Sequence, residues 1–178
     1  AQTQIAAADL MVAQLETPVE TTQFAFQMAK ELGVKTILNP APAVAKLPAE
    51  LLKNTDVITP NETEVEILTG IAVTDEAAML KAAQRLHDLG VATVIITLGS
   101  KGVFYDDGAQ HGIVPAFKVQ AVDTTAAGDT FLGALSSELN PDLSNLKTAI
   151  EYGNKASSLA VQKMGAQPSI PTRKDILK

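Results

Sequence analysis

The segment DEAAMLKAAQRLHDLGVATVIITL, residues 75–98, decides the fold, because a helix, a glycine and a strand follow one another directly. Apolar residues recur at helical spacing up to Leu89, and Gly90 then stands where a helix typically ends. The next stretch, Thr93–Leu98, is apolar and β-branched, as in a strand that is covered on both faces of a sheet. This succession is typical of α/β proteins.

The same alternation extends toward the N-terminus. Further strands are predicted at Asp9–Leu15, Val34–Asn39 and Asp56–Thr59. Helices are predicted between and after them at about 19–32, 48–53 and 62–69. Repeated strand–helix alternation favours a mainly parallel sheet that helices cover.

Toward the C-terminus the pattern changes to a hairpin and then to helices. Val103–Tyr105 and Gln110–Val114 flank the turn Asp106–Gly108, which predicts a short antiparallel hairpin at the sheet edge. Helical periodicity fills much of residues 128–164. With no repeat or linker visible, residues 1–178 are interpreted as a single α/β domain.

Composition restricts the function classes. A net charge of −6 argues against a nucleic-acid surface, and no apolar run approaches the ~20 residues of a membrane span. The absence of cysteine excludes disulfides, thiolate catalysis and cysteine-ligated zinc. No secretory signal is visible, so a cytoplasmic location is expected. Because the chain starts at Ala1 without methionine, we expect it to be part of a longer protein.

The run AVDTTAAGDTF, residues 121–131, carries the most specific chemistry. It passes through small residues, which let a ligand approach the backbone, and delivers Asp129 to the start of an apolar-periodic helix. The N–H groups of a helix start favour an anion such as phosphate. An aspartate beside them can accept a proton, and an anion hole with a base is the minimum machinery for phosphoryl transfer. The alternative is that Asp129 only caps the helix.

Two further segments follow predicted strands, where ligands of open α/β sheets gather. Asn61 and Glu64 have the spacing of a capping box, and they could equally face phosphates and organise hydrated Mg²⁺. Thr97–Gly102 contains two glycines that could simply turn the chain into the hairpin. Neither a Walker A loop nor a Gly-x-Gly-x-x-Gly fingerprint is present.

These segments together resemble the ribokinase-like (PfkB) family of sugar kinases. The 121–131 run is similar to the family signature Asp-Thr-x-Ala-Ala-Gly-Asp-Thr-Phe. Asn61–Glu64 is similar to its Asn-x-x-Glu motif, and Thr97–Gly102 to its Thr-Leu-Gly-x-x-Gly nucleotide loop. The resemblance extends in order over essentially the whole chain. It implies the Rossmann-like fold of that family, with this chain as the nucleotide-binding and catalytic-base portion.

The resemblance also implies residue roles. Asp129 would be the catalytic base and would contact the sugar, and the anion hole would comprise Ala126, Ala127 and Gly128. The implied ATP-binding residues are Asn61, Glu64, Thr97, Leu98, Gly99, Ser100, Lys101, Gly102, Gly128 and Asn154. Glu64 would hold Mg²⁺ through water. A monovalent cation, usually K⁺, would be held by Asp123, Thr125, Ala160, Lys163, Gly165 and Ser169.

Two residues and one loop that the resemblance implicates also have simpler interpretations. Asn154, implied to border the adenine, could be an ordinary polar helix residue. Glu16, implied to touch the sugar side of the cleft, could be a first-turn helix carboxylate that the helix dipole favours. The loop around Gly165 could be a helix exit that glycine and proline mark.

The implied activity is the ATP-dependent phosphorylation of D-ribose to D-ribose 5-phosphate, because Asn39–Ala43 and Gly165–Ser169 resemble the ribose-phosphorylating members. Alternatives are another sugar or nucleoside kinase of the family, or a nucleotide-binding module without activity. Nothing matches the Gly-Gly-x-Gly-x-Asn sugar-binding run or the β-lid, so we expect that N-terminal part to be absent. We therefore expect the isolated chain to be inactive, and the longer enzyme to be a homodimer.

Overall fold

The computed structural model describes all residues 1–178. The chain divides into two compact units. One comprises Ala1–Thr97 and Phe104–Gly112, and the other comprises Leu98–Val103 and Ile113–Lys178. The interpretation of residues 1–178 as a single domain stays a prediction.

The elements alternate as the sequence indicates. The strands are β1 Leu10–Ala13, β2 Lys35–Leu38, β3 Val57–Ile58, β4 Thr93–Thr97, β5 Val103–Asp106 and β6 His111–Val114. The helices are α1 Gln2–Ala6, α2 Val19–Glu31, α3 Ala49–Lys53, α4 Glu62–Thr69, α5 Glu76–Asp88, α6 Ala127–Glu138, α7 Leu146–Ala160 and α8 Arg173–Ile176. Short 3₁₀ helices lie at Gly99–Lys101 and Gln167–Ser169. None of the helices combines the length and the apolar character that a bilayer crossing needs.

The strands form one six-stranded sheet in chain order, β1 to β6. The pairs β1–β2, β2–β3 and β3–β4 are parallel, with Val12 opposite Ile37 and Val57 opposite both Ile37 and Thr93. The predicted mainly parallel sheet and hairpin are therefore confirmed. Glu16 follows β1 in the sequence, and Asn61 follows β3. Because parallel strands end at the same edge of the sheet, both residues lie at that edge.

The ends of the strands and of α2 to α5 agree with the prediction to within two residues, and α1 and α8 were not predicted. Backbone pairing continues past the ends of regular strands: the Asn39 N–H donates to Ala13 O at 2.9 Å, and the Thr59 N–H donates to Leu38 O at 2.9 Å. The apolar pattern of the sequence reflects which residues are buried, and burial continues past the last residues of the regular strands. Most of the predicted strands are therefore longer than the observed ones.

A buried carboxylate stabilises the amino end of β3. Asp56 is 3% exposed and accepts hydrogen bonds from the Thr36 N–H at 3.0 Å, Lys30 Nζ at 2.8 Å and Lys35 Nζ at 3.1 Å. Burial alone would raise the pKa of Asp56, but the bonds from Lys30, Thr36 and Lys35 outweigh it and hold the pKa below its ordinary value of 3.8. This network joins α2, β2 and β3.

In the second unit, α6 and α7 pack together around a glycine. A Cβ atom at Gly153 would lie 2.8 Å from Phe131 Cδ2 and 3.1 Å from the Phe131 carbonyl oxygen, so only glycine allows this approach. Gly102 is constrained in a different way. Its φ is +111°, and a Cβ there would lie 2.1 Å from Val114 O. The loop before β5 is thus pressed against the end of β6.

We expect Asp56→Asn to lower the free energy of unfolding by about 2 kcal/mol at pH 7, because it removes the charge that Lys30 and Lys35 partner. The depressed pKa makes this contribution complete above about pH 5 and progressively lost as the pH falls below about 4. Urea unfolding from pH 3 to pH 7 measures both effects. Asp88→Asn on the surface of α5 is the control, and an equal loss in both variants would contradict the assignment.

We expect Gly102→Ala to lower the free energy of unfolding by about 3 kcal/mol, since the methyl group meets Val114 O and the backbone has a positive φ. Gly99→Ala is the matched control. Its φ is +55°, but its Cβ would meet nothing within 4 Å. Urea unfolding should show a loss of about 1 kcal/mol for Gly99→Ala. Equal losses would show that the contact with Val114 is unimportant.

Candidate functional site

The start of α6 leaves Asp129 without a hydrogen-bonding role. The N-cap of α6 is Ala126, in a left-handed conformation with φ 59° and ψ 16°, and no side chain caps the helix. Asp129 is the third residue of α6, so the interpretation of Asp129 as the N-cap is wrong. The residue is exposed, and its carboxylate has no protein partner. Both oxygens are therefore available to an incoming proton.

The backbone around the helix start offers N–H groups beside this carboxylate. The N–H groups of Ala126 and Gly128 have no partner in the protein, whereas the Ala127 N–H donates to Thr124 O at 3.2 Å. Ser157 Oγ donates to Ala127 O at 3.1 Å and so holds the helix start against α7. Of the three predicted anion-hole donors, two are open and one also closes a turn.

Asp129 borders a cavity of about 350 Å³, a volume within the range of small-molecule sites. Thr130, Tyr152, Ile170 and Arg173 also line it. Thr130 Oγ1 is buried there without a hydrogen-bond partner. Arg173 lies over the Tyr152 ring at 5.8 Å and pairs with Glu138. The Asp129 carboxylate thus borders a largely apolar space.

A second pocket of about 410 Å³ brings three predicted segments together. Gly99 and Ser100 come from the loop after β4, Thr124 and Ala127 from the turn before α6, and Asn154 from α7. The remaining lining residues are Ala116, Phe117, Lys118, Val119, Ala121, Ser157, Ser158 and Val161. The wall therefore combines small polar groups with an apolar segment that follows β6.

Asn154 has a fixed place in this wall. It is 7% exposed, and its Nδ2 donates to Val114 O and Pro115 O, each at 3.2 Å. These bonds tie α7 to the end of β6. The side chain is therefore more than an exposed polar residue of a helix, although its contact with a nucleotide stays a prediction.

The loop after β4 is a tight turn. The Leu98 N–H donates to Gly102 O at 2.8 Å around the 3₁₀ helix Gly99–Lys101. The interpretation of Thr97–Gly102 as a turn into the hairpin is confirmed. Its nucleotide-binding role stays a prediction, and the two interpretations are compatible because Gly99 and Ser100 also line the pocket.

The capping box predicted at α4 is confirmed. Asn61 Oδ1 accepts from the Glu64 N–H at 2.9 Å, and Glu64 Oε2 accepts from the Asn61 N–H at 2.8 Å. Thr97 lies beside this helix start, since its N–H donates to Pro60 O at 2.9 Å. Glu64 Oε1 has no protein hydrogen bond. One such carboxylate oxygen fits a hydrated magnesium ion, which keeps most of its own waters.

Asp123 joins two parts of the predicted monovalent-cation site. Its carboxylate accepts from Thr125 Oγ1 at 2.6 Å, from the Thr125 N–H at 2.9 Å and from the Gly165 N–H at 2.8 Å. The Thr125 hydroxyl, followed by the Gly165 and Thr125 N–H groups, lowers the pKa of Asp123 below its ordinary value. The group is therefore a carboxylate at neutral pH.

The other predicted cation ligands begin with Ala160, the last residue of α7, and continue into the loop that follows the helix. Ala160 O accepts from the Lys163 N–H at 3.0 Å, and Ser169 is buried with its Oγ donating to Ala166 O at 2.7 Å. The helix exit itself has no glycine: Val161 is the C-cap of α7, and Gly165, with φ +90°, turns the chain four residues later. Oxygen ligands and one carboxylate are a donor set that suits a hard cation.

Glu16 differs from its simpler interpretation. α2 begins at Val19 with Pro18 as its N-cap, and its first-turn acid is Glu20. Glu16 is exposed and precedes the helix, because Pro18 sets the helix start two residues later. The first-turn interpretation is wrong, and the sugar contact stays a prediction.

Sequence reasoning missed the serines of α7. Asn154, Ser157, Ser158 and Val161 line the pocket, and their spacing of i, i+3, i+4 and i+7 places them on one face of α7. That spacing was a usable signal. No pattern indicated Phe117, whose ring lies 5.5 Å from Lys155 Nζ, because it belongs to an irregular segment.

Comparison with known proteins agrees with this geometry. The chain is 55% identical over 170 residues to the bifunctional ribokinase/ribose-5-phosphate isomerase A of Fructilactobacillus sanfranciscensis, which covers 96% of this chain and 31% of that protein. Its identity to the ribokinase of Staphylococcus aureus is 53% over 169 residues, covering 95% of this chain and 55% of that protein. The structure of Arabidopsis thaliana ribokinase complexed with ribose and ATP matches 99% of this chain and 57% of that chain, with a TM-score of 0.93 at 32% identity.

The chain spans about half the length of the single-function relative, and about a third of the bifunctional one. The profile of the pfkB family of carbohydrate kinases matches residues 1–173. That match covers the first compact unit and all of the second up to the start of α8. The chain therefore belongs to the pfkB family of carbohydrate kinases.

Proposed function

We propose that this chain carries the catalytic base and the nucleotide site of a kinase that phosphorylates D-ribose to D-ribose 5-phosphate with ATP. One observation carries the proposal: Asp129 presents an exposed carboxylate without a protein partner, next to the open N–H groups of Ala126 and Gly128. The identity to ribokinases supports ribose as the sugar.

In this proposal Asp129 accepts the proton of the ribose 5-hydroxyl while that oxygen attacks the γ-phosphorus of ATP. A bond from the 5-oxygen to phosphorus forms, and the bond from phosphorus to the ADP oxygen breaks. The N–H groups of Ala126 and Gly128 donate to the negative charge that develops on the phosphate. Donors that are already oriented need no rearrangement during the reaction.

The remaining roles follow the same reasoning. The pocket that Gly99, Ser100 and Asn154 line would hold the nucleoside of ATP. Asn61 and Glu64 would hold hydrated Mg²⁺, which when bound neutralises charge on the phosphates. Asp123 and the carbonyls around Gly165 would hold K⁺, whose positive field favours an anion at the helix start. Glu16 would contact the sugar, and a homodimer remains a proposal from the family resemblance.

A second candidate is nucleotide binding without turnover. The pocket of about 410 Å³ is lined entirely by residues of one compact unit, so it could bind a nucleotide without any sugar contact. Calorimetry with ATP and Mg²⁺ and a coupled ADP-release assay with ribose separate the two. Binding with ribose-dependent release supports the kinase, and binding without release supports the module.

We expect Asp129→Asn to lower kcat by about 10² or more and to leave the ATP dissociation constant unchanged, because it removes only the proton acceptor. The assay uses a chimaera that joins this chain to the part of the Staphylococcus aureus ribokinase that it does not match. Asp88→Asn in α5 is the control. Near-normal turnover of Asp129→Asn would remove Asp129 from the catalytic role.

We expect Glu64→Gln to raise the Mg²⁺ concentration needed for half-maximal rate severalfold in the same chimaera, since the charge is lost. The amide oxygen of Gln can still accept from the Asn61 N–H, so the capping box is preserved. Glu66→Gln, on the exposed side of α4, should leave the magnesium titration unchanged. An unchanged titration for Glu64→Gln would contradict the metal role.

A further inference from the structure

The peptide unit between Ala127 and Gly128 has a protein contact on one side and an open donor on the other. A peptide unit is planar, and its C=O and N–H groups point in opposite directions, so the direction of one group fixes that of the other. Ser157 Oγ in α7 donates to Ala127 O at 3.1 Å. The Gly128 N–H on the opposite side has no partner in the protein. A contact from α7 thus sets the direction of a free donor.

The preceding peptide at the start of α6 is held in a different way. The Ala127 N–H donates to Thr124 O at 3.2 Å, and Ala126 O accepts from the Thr130 N–H at 2.9 Å. Both polar groups of the peptide between Ala126 and Ala127 are therefore bonded to neighbours along the chain. The peptide that carries the Gly128 N–H is instead held by a side chain of another helix.

Gly128 itself restrains this peptide only weakly. A Cβ atom at Gly128 would meet nothing within 4 Å, and its φ is not positive, so neither packing nor conformation requires a glycine there. Glycine instead leaves the N–H open to a ligand and gives the backbone its widest range of φ and ψ. No side chain caps α6. A donor at such a position needs an external restraint to keep one direction, and Ser157 supplies it.

The hydrogen bond from Ser157 also changes the charge distribution of the peptide. A donor on a carbonyl oxygen draws electron density toward that oxygen, and it strengthens the hydrogen bond that the N–H of the same peptide makes by about 10–30%. An N–H that already points in the right direction stabilises developing negative charge without rearrangement during the reaction. The bonds from Ser157 through the Ala127 carbonyl therefore favour an anion at the Gly128 N–H.

We propose that Ser157 is a positioning residue for phosphoryl transfer: its bond to Ala127 O orients and polarises the peptide whose Gly128 N–H donates to the transferred phosphate. Ser157 acts through that peptide and takes no part in the proton transfer to Asp129. The inference rests on the proposed kinase function. It adds to that function a residue of α7, outside the run at residues 121–131.

Ser157→Ala removes the hydroxyl and leaves the Gly128 N–H in place. In the chimaera with the Staphylococcus aureus ribokinase we expect kcat to fall about fivefold to tenfold, less than the roughly 10²-fold loss on removal of an anion-hole donor. The dissociation constant of ATP should change by less than about twofold, because the lost effect is largest in the transition state. Ser157→Thr keeps the hydroxyl and should restore kcat, since residue 157 borders the pocket and the added methyl group has space.

Ser136→Ala is the matched control. Ser136 Oγ donates to Leu132 O at 2.7 Å within α6, so this variant also loses one hydroxyl-to-carbonyl bond, but away from the pocket. We expect Ser136→Ala and Ser157→Ala to shift the urea midpoint by similar amounts, and only Ser157→Ala to lower kcat. Equal losses of kcat would indicate general destabilisation and overturn the positioning role. If Ser157→Ala does not fold, Ser157→Cys decides, because its thiol is a weak donor of similar shape and should also lower kcat.

Nuclear magnetic resonance of the 178-residue chain observes the same peptide without any turnover. A hydrogen bond on the carbonyl deshields the nitrogen of that peptide. The Gly128 amide nitrogen resonance should therefore move to lower frequency in Ser157→Ala and return in Ser157→Thr. It should not move in Ser136→Ala.

The two measurements separate the role of Ser157 from the function on which it rests. An unchanged Gly128 nitrogen resonance in Ser157→Ala, or an unchanged kcat in that variant, would overturn the positioning role and leave the kinase function standing. A chimaera of unchanged sequence that releases no ADP in response to ribose would overturn the kinase function, and with it the role of Ser157 in the reaction.

Discussion

Parallel pairing of β1 to β4 is the constraint on which the first unit depends. Parallel strands must end at one edge, so the residues that follow them are placed there whatever the helices between them do. Asn61 and Glu16 lie at that edge. The buried Asp56 network lies at the amino end of β3, the end opposite to Asn61. The charge whose burial costs free energy is therefore located away from the candidate site.

In the second unit, backbone geometry leaves the Asp129 carboxylate without a protein partner. α6 follows a turn that begins at Asp123. Its N-cap is the left-handed residue Ala126, and no side chain caps the helix. A non-glycine residue in that conformation costs about 1 kcal/mol, which the hydrogen bonds of Asp123 and Ser157 around it offset. The helix dipole then favours the negative charge of Asp129 in the first turn, although no group of the helix donates a hydrogen bond to its carboxylate.

Much of this could be predicted from sequence, because alternating apolar periods and a specific signature are both local patterns. The helix and strand order was confirmed, and so was the Asn61 capping box. The N-cap at Ala126 could not be predicted, since alanine gives no signal for a positive φ. The first-turn interpretation of Glu16 was wrong because α2 begins only after Pro18, and its sugar contact stays a prediction. The Asn154 amide donates to the carbonyls of Val114 and Pro115, where β6 ends and an irregular segment begins, and no sequence period describes the path of that segment.

The close contact of α6 and α7 has a mechanical consequence. With no side chain at Gly153 to separate them, the backbone of α7 lies directly against the Phe131 ring of α6, and no free space remains between the two helices at this point. α7 carries the pocket wall at Ser158, and α6 carries Asp129. Because the helices are packed this closely, a displacement of the pocket wall at Ser158 would also displace the start of α6, and with it the position of the Asp129 carboxylate.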